Sequence, residues 1–302
     1  MARALCHFNG KPTLSLSKQS HFRPSSSSAY KPTRVTMAQT KSYWASIEAD
    51  IEDHLKTAIP IRQPVSVFEP MHHLVFAAPK AKAPALCVAA CELVGGDRAQ
   101  AMVAASALHL VHSAAHTHEH LSLTDRPNPK PVVHHAYGPN IELLFGDGIV
   151  PFGFELLARS VDSGQNDSDR VLRVILEITR AIGSQGMIDG QYQELRGTTQ
   201  STSDKEWIEH VCRKKEGELH ACGAACGAIL GGGSEEEIER LRRFGLYVGV
   251  MEGMLSRGGG NEKGLMEVVE RMRVMATNEL ENLKGRNVEP ISSLLQTGLC
   301  TV

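Results

Sequence analysis

Neither aspartate nor glutamate occurs before Glu48 in this chain of 302 residues. The same opening stretch carries Arg3, Lys11, Lys18, Arg23, Lys31, Arg34 and Lys41, together with the serine tract Ser25 to Ser28. It also lacks the apolar core of a secretory signal. A basic, serine-rich, acid-free leader has the composition of an organelle transit peptide; high serine content and weak amphipathic periodicity favour plastid over mitochondrion. The bland alternative is a basic tail with no address. Residues 1–40 are therefore expected to be a plastid transit peptide, cleaved between Val35 and Ser42, with the plastid stroma as the expected compartment. They are set aside from the fold.

Other shortages narrow the class further. No run of about 18 uncharged apolar residues occurs, so no membrane span is expected. Aromatics make up only 5%, while glycine reaches 27 residues and alanine and leucine are abundant; that mix suits closely packed helices better than a β-sandwich. The formal net charge is −2, so the overall balance points to neither nucleic acid nor an anionic membrane. The seven cysteines are odd in number and do not form a secreted disulfide framework. Aspartate is absent after Asp204.

What remains is helical almost throughout from Tyr43. Trp44, Ile47, Ile51 and Leu55 recur at helical spacing. Asp97 can cap an alanine-rich helix running through Met102, Ala105, Leu108 and Val111. The segment from Asp125 to Pro139 reads as a loop, and helix resumes near Asn140 and runs through Phe154 and Leu157. A polar break at Ser163 to Ser168 precedes a helix from Asp169, with Val171, Val174, Ile175 and Ile178 on one face. Gly231-Gly232-Gly233 ends a helix, Ser234 and Glu237 have capping-box spacing, and Gly258-Gly259-Gly260 breaks the helix that follows. Gly264 to Asn282 reads as one more. No solenoid-type repeat is present. The fold expected over 43–302 is one all-α domain.

Four fragments then fall in a recognisable order: Leu86-Cys87-Val88-Ala89-Ala90-Cys91-Glu92-Leu93-Val94-Gly95-Gly96; Gly138-Pro139-Asn140 leading to Gly146-Asp147-Gly148; Gly186-Met187-Ile188-Asp189-Gly190-Gln191; and Gly227-Ala228-Ile229-Leu230-Gly231-Gly232. In this order and spacing the chain resembles the trans-prenyltransferases, the short-chain isoprenyl diphosphate synthases. The resemblance implies an isoprenoid synthase-type helical bundle around a deep central cavity, working as a dimer. It also implies a chemistry in which an allylic diphosphate ionises and isopentenyl diphosphate attacks the cation. Departure of the diphosphate needs Mg²⁺ held by two aspartate-rich motifs on facing helices.

Against that resemblance the site is degenerate. The first motif reads His118-Glu119-His120-Leu121 with Asp125 downstream, so the paired aspartates have become Glu119 and His120, and a neutral imidazole is a poor Mg²⁺ ligand. The second motif falls in Val248-Gly249-Val250-Met251-Glu252-Gly253-Met254-Leu255-Ser256-Arg257, with arginine where a cation should be held. In the basic run of the five-carbon pocket, Ala78-Pro79-Lys80-Ala81-Lys82-Ala83, Lys80 matches and two arginines are alanines; Lys82 restores charge but not the bidentate fork. His112 and Lys215 match positions that approach diphosphates. Lys80, His112 and Lys215 are therefore read as a vestigial diphosphate pocket, with no catalytic residue and no metal expected on this chain. A Zn²⁺ site can be drawn through His112, His116 and His120 at i, i+4 spacing, but polar cavity-lining histidines are the simpler reading.

Cys87-x3-Cys91 and Cys222-x3-Cys226 each place two thiols on one helical face. By composition alone they are buried small residues. The resemblance adds that Cys-x3-Cys motifs mark the small subunits of plant heteromeric geranyl diphosphate synthases, where they are associated with binding the large subunit. The function expected is a regulatory small subunit that pairs with a geranylgeranyl-diphosphate-synthase-like large subunit, as a heterodimer or heterotetramer, and shifts its product to C10 geranyl diphosphate for monoterpenes. Mg²⁺ is expected on that partner. The alternatives are a weakly active Mg²⁺-dependent prenyltransferase using Glu119 and Asp125, and a general scaffold for plastid isoprenoid enzymes.

Overall fold

The computed structural model describes residues 37–121, 136–161, 167–196, 205–258, 263–283 and 285–296. Asp125, most of the loop read from Asp125 to Pro139, and residues 1–36 of the expected leader lie outside them. The helices are α1 Met37–Ala58, α2 Val65–Ala77, α3 Lys82–Leu93, α4 Arg98–His120, α5 Pro139–Arg159 and α6 Asp167–Ile182. They continue with α7 Met187–Arg196, α8 Lys205–Cys212, α9 Glu218–Leu230, α10 Glu235–Gly258, α11 Lys263–Glu281 and α12 Glu289–Ser292. Helix α1 starts at Met37, ahead of the Tyr43 start read from periodicity, because the apolar repeat marks only the part of a helix that packs. No strand occurs among the described residues.

Local chemistry places the helix ends where expected. The Asp97 carboxylate accepts from the Ala99 backbone N–H at 2.8 Å, and the Asp97 N–H donates to Gln100 Oε1 at 2.8 Å, which closes a capping box on α4. The second box also forms: the Ser234 N–H donates to Glu237 Oε2 at 2.8 Å and the Glu237 N–H to Ser234 Oγ at 3.2 Å. Helix α6 is amphipathic. Val171, Val174, Ile178 and Ala181 are buried, while Leu172 and Leu176 remain outside.

At the centre lies the pair α3 and α9. Every residue from Ala83 to Cys91 and from Leu219 to Ile229 is buried, the pattern of helices wrapped on all sides. Helices α4, α6 and α10 pack around this pair, with α5 and α11 outside them. The pair approaches closely because the facing surface is glycine: a Cβ on Gly227 would lie 1.9 Å from the Cys87 carbonyl oxygen, and one on Gly223 would lie 2.4 Å from that of Ala83. Helices α8 and α9 form one rod interrupted by a π turn at Arg213–Gly217, which shifts the rod's register and buries Lys215 against its surroundings.

Gly227→Ala is expected to cost about 3 kcal/mol by overpacking this contact. Gly148→Ala, whose Cβ meets nothing within 4 Å on α5, is expected to gain about 0.5–1 kcal/mol from helix propensity. Urea denaturation of the purified chain measures both.

Candidate functional site

The first-motif residues sit in the last turn of α4, and the fold brings Lys215 of the π turn onto them. Lys215 Nζ lies 2.5 Å from Glu119 Oε1 and 2.5 Å from Glu194 Oε2 of α7. Its side chain is only 5% exposed, so the charge stands largely out of water. Burial opposes the ammonium, but Glu119 and Glu194 outweigh it and raise the Lys215 pKa. Gly190 permits this approach: a Cβ there would lie 2.7 Å from Lys214 Cβ and 2.8 Å from Lys215 Cγ.

Arg257, at the end of α10, extends the cluster. Its Nη2 donates to Glu194 Oε1 at 3.2 Å, and Nη1 lies 3.0 Å from Glu216 Oε1. Nη1 also reaches Cys212 Sγ and the Gly253 carbonyl, each at 3.4 Å. Burial opposes the guanidinium's charge, yet Glu216, then Cys212 and Glu194, hold its pKa above the ordinary value. Burial pushes the Glu216 pKa up against the pull of Arg257 and Lys215.

The remaining basic positions are paired in the same way. Lys80 Nζ lies 3.2 Å from Glu52 and 3.9 Å from Glu48, both on α1. It lines a cavity of about 140 Å³ with Glu52, Phe76 and His109, below the roughly 300–1,000 Å³ of small-molecule sites. Lys82 Nζ lies 3.2 Å from Glu252 Oε1, and His220 Nε2 lies 3.0 Å from Glu252 Oε2. Burial raises the Glu252 pKa, but His220 and then Lys82 pull it down to about 2.

Two of the three histidines of the drawn Zn²⁺ site turn to the backbone, while His118 Nε2 lies 3.3 Å from Asp147 Oδ1 of α5. His112 Nε2 donates to the Pro79 carbonyl at 3.0 Å, and His120 Nδ1 to that of His116 at 2.8 Å. The rings of His116 and His120 lie 4.1 Å apart, those of His112 and His116 6.4 Å. Among the described residues no three His, Cys, Asp or Glu side chains are grouped to hold a metal ion. Their donor set does not suit Mg²⁺: the Glu119 carboxylate meets an ammonium, His120 is an imidazole, and Arg257 occupies the facing helix.

Both Cys-x3-Cys motifs lie in the α3–α9 seam, with Cys87, Cys91, Cys222 and Cys226 buried. Cys222 Sγ and Cys226 Sγ are 3.7 Å apart, and Cys226 Sγ lies 4.0 Å from the Val174 carbonyl of α6. Burial first, then the neighbouring thiols, pushes Cys87 and Cys226 well above the ordinary thiol pKa. The structure thus joins Lys215 to Glu119 and the two thiol pairs to each other's helices, and leaves Lys80 apart, between α2 and α3 and paired with α1. Sequence reasoning missed Glu194, Glu216, His220 and Glu252 as partners. Glu194 follows Gln191 by one helical turn and Glu216 adjoins Lys215; those spacings were the only signals available.

Compared with known proteins, residues 65–251 match the family described as polyprenyl synthetase. The chloroplastic heterodimeric geranylgeranyl pyrophosphate synthase small subunit 2 of Cannabis sativa is 54% identical over 284 residues, covering 90% of this chain and 99% of that protein. The geranyl diphosphate synthase small subunit of Antirrhinum majus, a crystal structure, matches with a TM-score of 0.79 at 57% identity, over 87% of this chain and 100% of its own. A deletion mutant of heterotetrameric geranyl pyrophosphate synthase from mint, in complex with ligands, matches with a TM-score of 0.77 at 53% identity, over 84% and 99%.

Burial, then His109 and His116, lowers the His112 pKa from 6.5 to about 4. Between those values the unfolded chain binds a proton that the folded chain refuses, so this residue removes stability as pH falls, at most about 1.4 kcal/mol per pH unit. His112→Gln is therefore expected to lose less stability than the wild type from pH 6.5 toward 4 and to run parallel to it above 6.5. Urea denaturation across that pH range gives the difference curve.

Proposed function

The chain belongs to the polyprenyl synthetase family, and within it we propose that it is a non-catalytic regulatory small subunit. It pairs with a geranylgeranyl-diphosphate-synthase-like large subunit, holds no Mg²⁺ of its own, and turns the partner's product toward C10 geranyl diphosphate. One observation carries this reading: Lys215 and Arg257 are bonded to Glu119, Glu194 and Glu216 at the end of the bundle where an active relative needs carboxylates for Mg²⁺ and cations for diphosphate. The relatives named as small subunits of heterodimeric and heterotetrameric synthases support the pairing. Their names carry both the C10 and the C20 product, so chain length is the finer part of the proposal. The compartment is the plastid, as for the chloroplastic relative, with the stroma as the proposed location within it.

The thiols contribute to partner binding from behind. Cys226 packs under α6, and Cys222 lines a cavity of about 430 Å³ whose wall includes Leu176 and Arg180 of α6. Leu172 and Leu176 stay exposed on that helix at 57% and 47%, an apolar strip suited to a partner helix. The cysteines act as positioning residues for this face.

The purified chain is expected to form no prenyl diphosphate alone, and to raise the C10 share of a large subunit's products about tenfold, equivalent to about 1.4 kcal/mol in relative barriers. Substantial turnover by the chain alone, or an unchanged product ratio in the mixture, rejects the reading. Leu176→Asp is expected to weaken binding to the large subunit at least tenfold by calorimetry while leaving the chain's own melting temperature unchanged.

A further inference from the structure

Two cations of this chain sit among three carboxylates drawn from separate elements. Glu119 comes from α4, Glu194 from α7 and Glu216 from the π turn; Lys215 belongs to the π turn and Arg257 to α10. Lys215 Nζ touches Glu119 Oε1 and Glu194 Oε2 at 2.5 Å each, so these two oxygens approach within twice that distance. Arg257 bridges the other Glu194 oxygen to Glu216 at 3.2 and 3.0 Å. Carboxylates this close repel one another unless positive charge lies between them, and in a partly dry setting the repulsion is large. A divalent ion is the usual remedy, bringing two charges to converging oxygens. Here the same two charges arrive on side chains, through N–O contacts longer than the roughly 2.1 Å of a magnesium–oxygen bond.

We propose that Lys215 and Arg257 are resident cations standing in for a divalent metal ion, so that this end of the bundle keeps its shape with no ion bound. The three carboxylates are neutralised by the chain itself. Helices α4, α7 and α10 and the π turn are cross-linked through Glu194, which both cations share. This end of the subunit therefore has one arrangement whatever the magnesium concentration around it. The inference concerns the chain's own shape and stands or falls separately from product control.

The test uses the full chain with MgCl₂, MnCl₂ or EDTA, reading melting temperature and bound Mn²⁺ by electron paramagnetic resonance. Wild type is expected to melt at one temperature in all three conditions. Lys215→Met and Arg257→Met should melt several degrees lower in EDTA, regain much of that loss in Mg²⁺ or Mn²⁺, and bind one Mn²⁺ more than wild type. Adding Glu194→Gln to Arg257→Met should abolish the extra ion. Lys215→Arg, which keeps the charge, should behave as wild type. The proposal is overturned if wild type loses stability in EDTA, if either methionine variant matches wild type there, or if neither gains Mn²⁺. Should a methionine variant fail to fold in EDTA, folding in Mg²⁺ becomes the readout, and failure there as well overturns the equivalence.

Discussion

A charge removed from water must be matched, and the matching of Lys215 governs the rest of this site. The ammonium is almost fully buried and has Glu119 on one side and Glu194 on the other. Leaving it unpaired would cost several kcal/mol. In a relative that binds diphosphate, a ligand can supply the missing negative charge; here carboxylates of the chain supply it. The same holds for Arg257 with Glu194 and Glu216, while Lys82 with Glu252 and Lys80 with Glu52 are paired nearer the surface, where water screens them. Basic residues that resemble a diphosphate pocket in the sequence are thus committed to partners in the fold.

That commitment depends on the helix pair beneath it. Helices α3 and α9 approach through Gly223 and Gly227, and the small residues around them, the four thiols included, fill a seam with little room for larger side chains. Helix α9 continues from the π turn that carries Lys215 and Glu216, so the position of the ion cluster is tied to the packing of the seam. Helix α6 lies over Cys226 and turns Leu172 and Leu176 outward. One rigid pair therefore sets both the ion cluster and the apolar face offered to a partner.

Much of the fold was legible along the chain. Both capping boxes, the break at Gly231 to Gly233 after α9 and the buried face of α6 follow from short-range chemistry, and each forms where its residues predict. The start of α1 was less legible, because Met37 to Thr40 precede the apolar repeat that reveals a helix. The site was legible in its shortages: Glu119 and His120 in place of paired acids, arginine at 257, and two alanines in the basic run. Its partners were not. Glu194 and Glu252 read as ordinary helical acids, since nothing in their neighbourhood along the chain says that one will meet Lys215 and the other His220 and Lys82.

The sequence by itself determined the helical class, the order of elements, the family resemblance and the identity of every residue that departs from it. These depend on spacing, capping and composition, which act over a few residues. Tertiary structure alone decided that Glu119 would lie 2.5 Å from Lys215 across 96 positions of chain, that the thiols would be buried in one seam, and that leucines of α6 would stay exposed. The reason is physical: burial and charge pairing depend on which helices meet, and α4, α7, the π turn and α10 meet only once the glycine seam has closed.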